Sequence, residues 1–208
     1  MESTYLGLYV VASLALIATP GQDMLYVITR SLAQGRLAGV CSAVGVIIGI
    51  LVHTALAALG VASILMASEA LFLALKLIGA AYLVYLGIRL VFTRAPEGRP
   101  GGQPPRLSPL ALVWQGILSN VTNPKIILFF LAFLPQFVDP ASAHPTRDLV
   151  FLGVLYAALG LPVKVGVALA AGSLSERVLR KPAVLAWVNR VSGGVLVALG
   201  LRLAATER

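Results

Sequence analysis

The sequence predicts an all-α, polytopic membrane protein, six transmembrane helices in a 3+3 inverted repeat with the first and fourth helices broken. Three observations lead there: long apolar runs with few charges, basic residues gathered on alternate connections, and prolines in matched helices. Of the 208 residues, 59% are hydrophobic and 12% charged, and mean hydropathy is +0.93. A soluble domain carries roughly a quarter charged residues. Half that fraction cannot clothe a water-facing surface, so the bilayer is the expected solvent.

Six segments are long enough for a hydrocarbon core, which needs about 20 residues. They are 6–28, 40–65, 70–92, 115–138, 149–172 and 184–203. All are expected as helices, because lipid offers no partner to an unpaired backbone group. Leu6 to Ala18 has the length of a signal-peptide core. Glu2 precedes it and Thr19-Pro20-Gly21-Gln22 follows, so it reads as the retained first half of a membrane helix.

Orientation follows from Arg and Lys. The first, third and fifth connections with their flanks carry Arg30, Arg36, Arg89, Arg94, Arg99, Arg106, Arg177, Arg180 and Lys181. The other side carries Arg147, Arg202, Arg208 and the more deeply placed Lys76. This bias puts the three basic connections in the cytoplasm and both termini outside. The net charge of +8 is therefore topological. The bases show no aromatic interleaving and no nucleic-acid module, which argues against a nucleic-acid partner.

A repeat divides the chain. Leu86-Gly87-Ile88-Arg89-Leu90 closes the third segment and Leu199-Gly200-Leu201-Arg202-Leu203 the sixth. Thr19-Pro20 interrupts the first and Asn123-Pro124 the fourth. Three helices per half is an odd number, so the halves must thread the membrane in opposite senses, the plan of many secondary transporters. Residues 1–92 then form the first repeat, 93–109 a flexible cytoplasmic linker rich in Pro, Gly and Arg, and 110–208 the second repeat.

The two interruptions are where chemistry is expected. Thr19 can act as N-cap, Pro20 as the first helical residue and Gln22 as the partner in a capping box. The half-helix that follows presents free N–H groups and a positive dipole end, suited to a substrate carboxylate. Asn123 and Pro124 repeat the device, with Gly21, Asn120 and Lys125 beside the two breaks as further substrate contacts. Asp23, Lys125 and Lys164 are ionisable groups too deep to face acyl chains. They are expected to share an aqueous cavity, with Asp23 paired to a lysine. Asp23 is the first choice for proton coupling. Held by a helix N-terminus and a lysine it stays ionised, and once separated from them it can take up a proton. Lys164 belongs to the same coupling set. His53 also titrates near neutrality and is the other candidate, against the plainer reading of a packing histidine. Glycine pairs such as Gly45/Gly49 and Gly193/Gly194 suit close helix packing, and Trp114 and Trp187 suit the interfacial belt.

Other classes find little support. Cys41 is the single cysteine, and no Cys/His spacing suggests a metal, so no metal or other cofactor is expected. Ser192-Gly193 lacks a partner for a membrane protease, and the eight acids make no metal-binding cluster, so an enzyme is not expected. A non-transporting membrane subunit would not need a polar layer at mid-membrane.

The Ala18-Thr19-Pro20-Gly21 stretch, Arg30-Ser31 with Gly35, Lys76 to Leu83 and Asn123-Pro124-Lys125 together resemble the lysine exporter family, the homoserine/threonine-resistance branch above all. The ordered match runs along nearly the whole chain. Many relatives carry Pro-Gly-Pro where this chain has Pro20-Gly21-Gln22. The resemblance implies a bacterial inner-membrane exporter of an amino acid or close derivative, driven by proton exchange. Another small polar metabolite is the alternative cargo. The partners implied are the solute, protons and the bilayer, and an assembly of identical copies is compatible with the sequence.

Overall fold

A computed structural model describes residues 3–61, 69–92, 106–139, 142–173 and 182–205, and these are almost entirely helical. In order they form α1 (Ser3–Ala18), α2 (Gln22–Gln34), α3 (Arg36–Leu56), α4 (Glu69–Phe92), α5 (Pro109–Val121), α6 (Pro124–Leu128), α7 (Pro145–Ser173) and α8 (Pro182–Ala205). A π-turn, Ala57–Val61, prolongs α3; a π-turn, Phe129–Phe133, and a 3-10 turn, Leu134–Phe137, prolong α6.

Among the described residues two helices, 36–60 and 145–173, are each long and apolar enough to cross a membrane, and two bent pairs qualify if each is one span. The axes of α1 and α2 meet at 49°, and those of α5 and of α6 with its continuation at 53°. Both breaks fall where the prolines predicted them. Helix ends outrun the apolar segments: α5 begins at Pro109 rather than Gln115, α3 at Arg36 rather than Val40, and α7 at Pro145 rather than Leu149. The early start of α5 has a local cause. Ser108 caps it, accepting from the Ala111 N–H at 3.3 Å, and Pro109 stands at the first position, where its missing N–H costs nothing. Between α2 and α3 the chain turns at Gly35, whose φ of +90° favours glycine. The expected 93–109 linker lies outside the described residues up to 105.

The distribution of polarity is that of a membrane protein. Ile48, Leu51, Phe151 and Val154 point outward, 37%, 43%, 50% and 48% exposed. Asp23, Lys125 and Lys164 are buried, at 1%, 4% and 2%. Charges inside and aliphatics outside invert the soluble pattern, and lipid is the solvent that rewards it.

Two helix pairs pack through small residues, as expected where lipid tails compete equally for apolar contact. On α3 and α5, a methyl group at Gly116 would lie 2.6 Å from the Ser42 carbonyl, and the backbones of Gly45 and Gly116 touch. Between α4 and α8, a methyl at Gly87 would meet the Gly193 carbonyl at 2.6 Å, and one at Gly200 the Ala80 carbonyl at 2.8 Å. Numbers fall on one helix as they rise on the other, so α4 and α8 are antiparallel. Adding 113 to 87 and 80 gives 200 and 193, the offset that aligns the two Leu-Gly-x-Arg-Leu sequences. That offset exchanges the two closest approaches with each other.

Gly116→Ala is expected to lower stability in detergent by about 1–3 kcal/mol, because its methyl meets backbone. Gly166→Ala, whose methyl meets nothing within 4 Å, should stay within about 0.5 kcal/mol of the parent. Thermal unfolding followed by size-exclusion or tryptophan fluorescence checks both.

Candidate functional site

The two helix breaks meet, and each supplies what the other lacks. Where α1 ends, its last carbonyls have no helical partner. Lys125, in the first turn of α6, fills this need: its Nζ donates to the carbonyls of Leu16 at 3.2 Å and Thr19 at 3.0 Å. A cation at a helix C-terminus is favoured by the dipole as well as by hydrogen bonding. In return α2 places Asp23 in its first turn, beside free N–H groups. Asp23 Oδ1 accepts from Asn123 Nδ2 at 3.2 Å, and Oδ2 accepts from Lys164 Nζ at 2.7 Å. The Asp23–Lys164 contact is a buried salt bridge joining α2 to α7. Asn123 has a second duty as N-cap of α6, its Oδ1 accepting from the Lys125 N–H at 3.1 Å, with Pro124 next in line.

Gly21 makes room for this arrangement. A methyl there would lie 3.0 Å from Lys125 Nζ and 3.2 Å from Asp23 Oδ1. Its φ of −143° is open to any residue, so space and not conformation selects glycine.

The ledger of donors and charges is uneven. One carboxylate stands among two ammonium groups, leaving one cation in excess when all three are ionised. Lys125 uses two of its three N–H donors and Lys164 one, among the described residues. The cluster is buried, over-supplied with donors and net positive, and so is complementary to an anionic group.

Several expectations need correction. Thr19 does not cap α2. Its hydroxyl donates back to the Ala15 carbonyl at 2.8 Å, the i−4 bond open to any threonine at a helix end, and the cap position falls to Gly21 without a side-chain bond. Pro20 accordingly sits before the helix rather than at its first turn. Gln22 is not the third residue of a capping box but the first residue of α2, 3.5 Å from Thr122 Oγ1 across the two breaks. Asp23, Lys125 and Lys164 come together as expected, with Asp23 paired to Lys164. They bond to one another and to nearby carbonyls, with N–H donors to spare on both lysines among the described residues. Asn120 takes no part in the ion pair: its buried amide lies against Gly49, without a hydrogen-bond partner among the described residues. His53 shares that second locus: its Nε2 lies 3.3 Å from the Asn120 carbonyl, and its ring 5.7 Å from Phe130. A carbonyl only accepts, so Nε2 carries the hydrogen. No hydrogen bond joins His53 to Asp23, Lys125 or Lys164 among the described residues.

On one side of the breaks the bundle is sealed. Tyr9 packs on Phe137 at 5.1 Å between ring centres, Phe133 on Phe137 at 5.0 Å and Phe129 on Phe133 at 5.2 Å. The Tyr9 hydroxyl donates to the Leu152 carbonyl at 2.7 Å, pinning α1 to α7. Phe129 also stacks on Tyr156 at 4.8 Å, and Tyr156 lies within electrostatic reach of Asp23. On the opposite side a cleft of about 490 Å³ opens between α2 and α5, with Gln22 and Thr122 at its inner end and Arg30 and Gln115 further out. Sequence reasoning passed over Tyr156, Arg30 and Gln115. Tyr156 precedes Lys164 by two helical turns, and Gln115 and Arg30 are polar residues within or beside apolar runs; both signals were available.

The comparisons with known proteins identify the family. The family model for the LysE type translocator matches residues 14–207. An uncharacterized membrane protein of Vibrio cholerae is 32% identical, with 96% of each chain covered. One from Pseudomonas aeruginosa is 36% identical, covering 94% of this chain and 93% of its own. A leucine efflux protein of Salmonella typhimurium is 32% identical over 65% of this chain and 64% of its own. No solved structure matches the chain. A family match from residue 14 to 207, carried by a helical membrane bundle with paired breaks, means that this chain belongs to the LysE-type translocators, which are transporters and not enzymes.

Proposed function

We propose that the protein exports an apolar amino acid, leucine being the first candidate, across the bacterial inner membrane in exchange for protons. One observation carries this reading: the buried cluster of Asp23, Lys125 and Lys164 holds one more positive charge and several more donors than it uses. A free amino acid is a zwitterion, and it can insert into the Asp23–Lys164 pair with one charge for each partner. The substrate ammonium takes the place of Lys164 on Asp23. The carboxylate meets Lys164 and the spare donor of Lys125. Insertion of an ion with both charges matched avoids the cost of leaving either buried group alone.

Coupling follows from the same geometry. Protonation of Asp23 removes the partner of the substrate ammonium and expels the substrate. The protonated carboxyl then returns to the cytoplasmic side and releases its proton near Lys164. Substrate and proton thus alternate on one group, which is antiport. Gln22, Asn123 and the helix starts of α2 and α6 shape the surrounding surface, and Pro20 and Pro124 keep the breaks open. His53 and Asn120, one step removed, serve the packing of α3 on α5 in this scheme.

The inverted 3+3 plan supports the reading. The antiparallel α4–α8 pair, with its two close contacts interchanged by one sequence offset, is what a two-fold axis in the membrane plane would produce. Residues 1–92 and 110–208 are the two repeats under this proposal, with the termini periplasmic. The leucine efflux relatives favour an aliphatic cargo over a charged one.

Everted membrane vesicles provide the test. Leucine should accumulate when the lumen is acidified, and a protonophore should collapse the gradient. Absence of pH-driven uptake of leucine and of every other amino acid sinks the proposal. Asp23→Asn should abolish uphill accumulation, by tenfold or more, and lower stability by about 3–5 kcal/mol, since two lysines lose their counter-charge. Unchanged coupling in folded Asp23→Asn protein removes Asp23 from the mechanism.

A further inference from the structure

The cleft between α2 and α5 has features that a lipid-facing groove lacks. Gln22, Tyr26 and Arg30 follow one another at i, i+4 and i+8 on α2. Gln115, Ser119 and Thr122 stand at i, i+4 and i+7 on α5. Both sets lie on single helical faces, and all six residues line the cleft. Polar groups aligned on two facing helices at membrane depth are costly against acyl chains. Hydrogen bonds to Leu112, Gln115 and Leu118 meet part of that cost, and water in an open groove can meet the rest.

The dimensions match a route. From Gln22 to Arg30 is eight residues, a rise of about 12 Å along α2. Half of a hydrocarbon core of about 30 Å is close to that length. The cleft therefore leads from the helix breaks to the membrane face that carries Arg30 and the basic connection after it. Its inner end, at Gln22 and Thr122, is one residue from Asp23 on one segment and one from its partner Asn123 on the other. Their contact, 3.5 Å, is at the outer limit of a hydrogen bond and easily parted.

The outer end is built to hold a carboxylate. Arg30 donates to Gln115 Oε1 at 3.0 Å and lies 5.8 Å over the Tyr26 ring. Tyr26 is itself fixed, its hydroxyl donating to the Leu112 carbonyl at 2.8 Å. A guanidinium whose contacts include Gln115 and Tyr26 has little freedom left to lose on meeting a ligand, and its five donors suit a carboxylate. Between the ends, Leu25 and Leu118 form apolar walls, 57% and 46% exposed. A volume of about 490 Å³ accommodates one small solute with water to spare.

We infer that the α2–α5 cleft is a loading site that captures an amino acid with an aliphatic side chain from the cytoplasm, its carboxylate on Arg30 and its side chain between Leu25 and Leu118, before it passes Gln22 and Thr122 to Asp23. This site rests on the exporter reading but is separable from it. Arg30 acts on affinity, through capture, and not on the proton exchange, which belongs to Asp23.

The test uses the full chain, with Cys41→Ala as background, since Cys41 is the single cysteine. Ser119→Cys is introduced in the cleft and Leu51→Cys on the outward face of α3 as control. A membrane-impermeant cationic thiosulfonate is applied to everted and to right-side-out vesicles. The expected result is labelling of Ser119→Cys in everted vesicles alone, slowed at least threefold by leucine, with Leu51→Cys unlabelled. Arg30→Gln should raise the leucine concentration for half-maximal uptake about tenfold, with the maximal rate and pH dependence kept. Three results overturn the inference: no labelling of Ser119→Cys from the cytoplasmic side, labelling indifferent to leucine in protein that transports it, or Ser119→Cys cross-linking to a second copy. If the parent protein transports no amino acid, the exporter reading itself fails.

Discussion

The bundle is organised around one buried ion pair, Asp23 with Lys164. Neither group can be removed alone without stranding the other in a low-dielectric interior. The pair constrains α2 and α7 to meet at the level where α1 and α5 end. That meeting lets Lys125 reach the open carbonyls of α1, and lets Asn123 serve Asp23 and the α6 backbone together. Four half-helix ends inside a membrane would leave unpaired backbone groups that lipid cannot satisfy. Here Lys125 takes up two carbonyls at the end of α1, and Asn123 one N–H at the start of α6. The polar cluster is both a structural repair of the breaks and a place where charge can be exchanged.

The surroundings of that cluster differ on its two sides. Toward α1 and the continuation of α6, Tyr9, Phe129, Phe133 and Phe137 interlock. Toward α2 and α5, an open groove carries polar stripes on facing helices, bridged by Tyr26 and Arg30. A carrier open to one side and sealed on the other has this asymmetry. Phe129 to Phe133 form a π-turn, an uncommon conformation that concentrates at functional sites, and the following residues tighten into a 3-10 turn. The sealed side is thus also the side with irregular backbone.

Much of this was legible in the sequence. Proline within an apolar run marks a break because it removes a backbone donor, and both breaks fall where Pro20 and Pro124 placed them. A carboxylate and lysines deep in apolar segments must find one another, and Asp23 is indeed paired to a lysine. Which lysine depends on how α7 packs, and periodicity does not encode that. Lys164 lies 141 residues from Asp23, whereas Lys125, with the same chemistry, turns to backbone carbonyls. The role of Thr19 was misjudged for a related reason. A threonine at a helix junction can cap the next helix or bond back into the last one, and the choice depends on local geometry. The cleft was present in the spacing of Gln115, Ser119 and Thr122, but one helix face acquires meaning only once its neighbour is known.

A double-mutant cycle on Asp23 and Lys164 measures the central pair most directly. Asp23→Asn, Lys164→Gln and the double variant are compared in detergent by unfolding free energy, alongside leucine exchange in proteoliposomes. A real buried pair predicts that each single variant is destabilised and that the second substitution recovers at least about 1.5 kcal/mol of the loss, while exchange stays absent in all three. Additive effects within about 0.5 kcal/mol, or a double variant that still couples leucine to protons, would contradict the account.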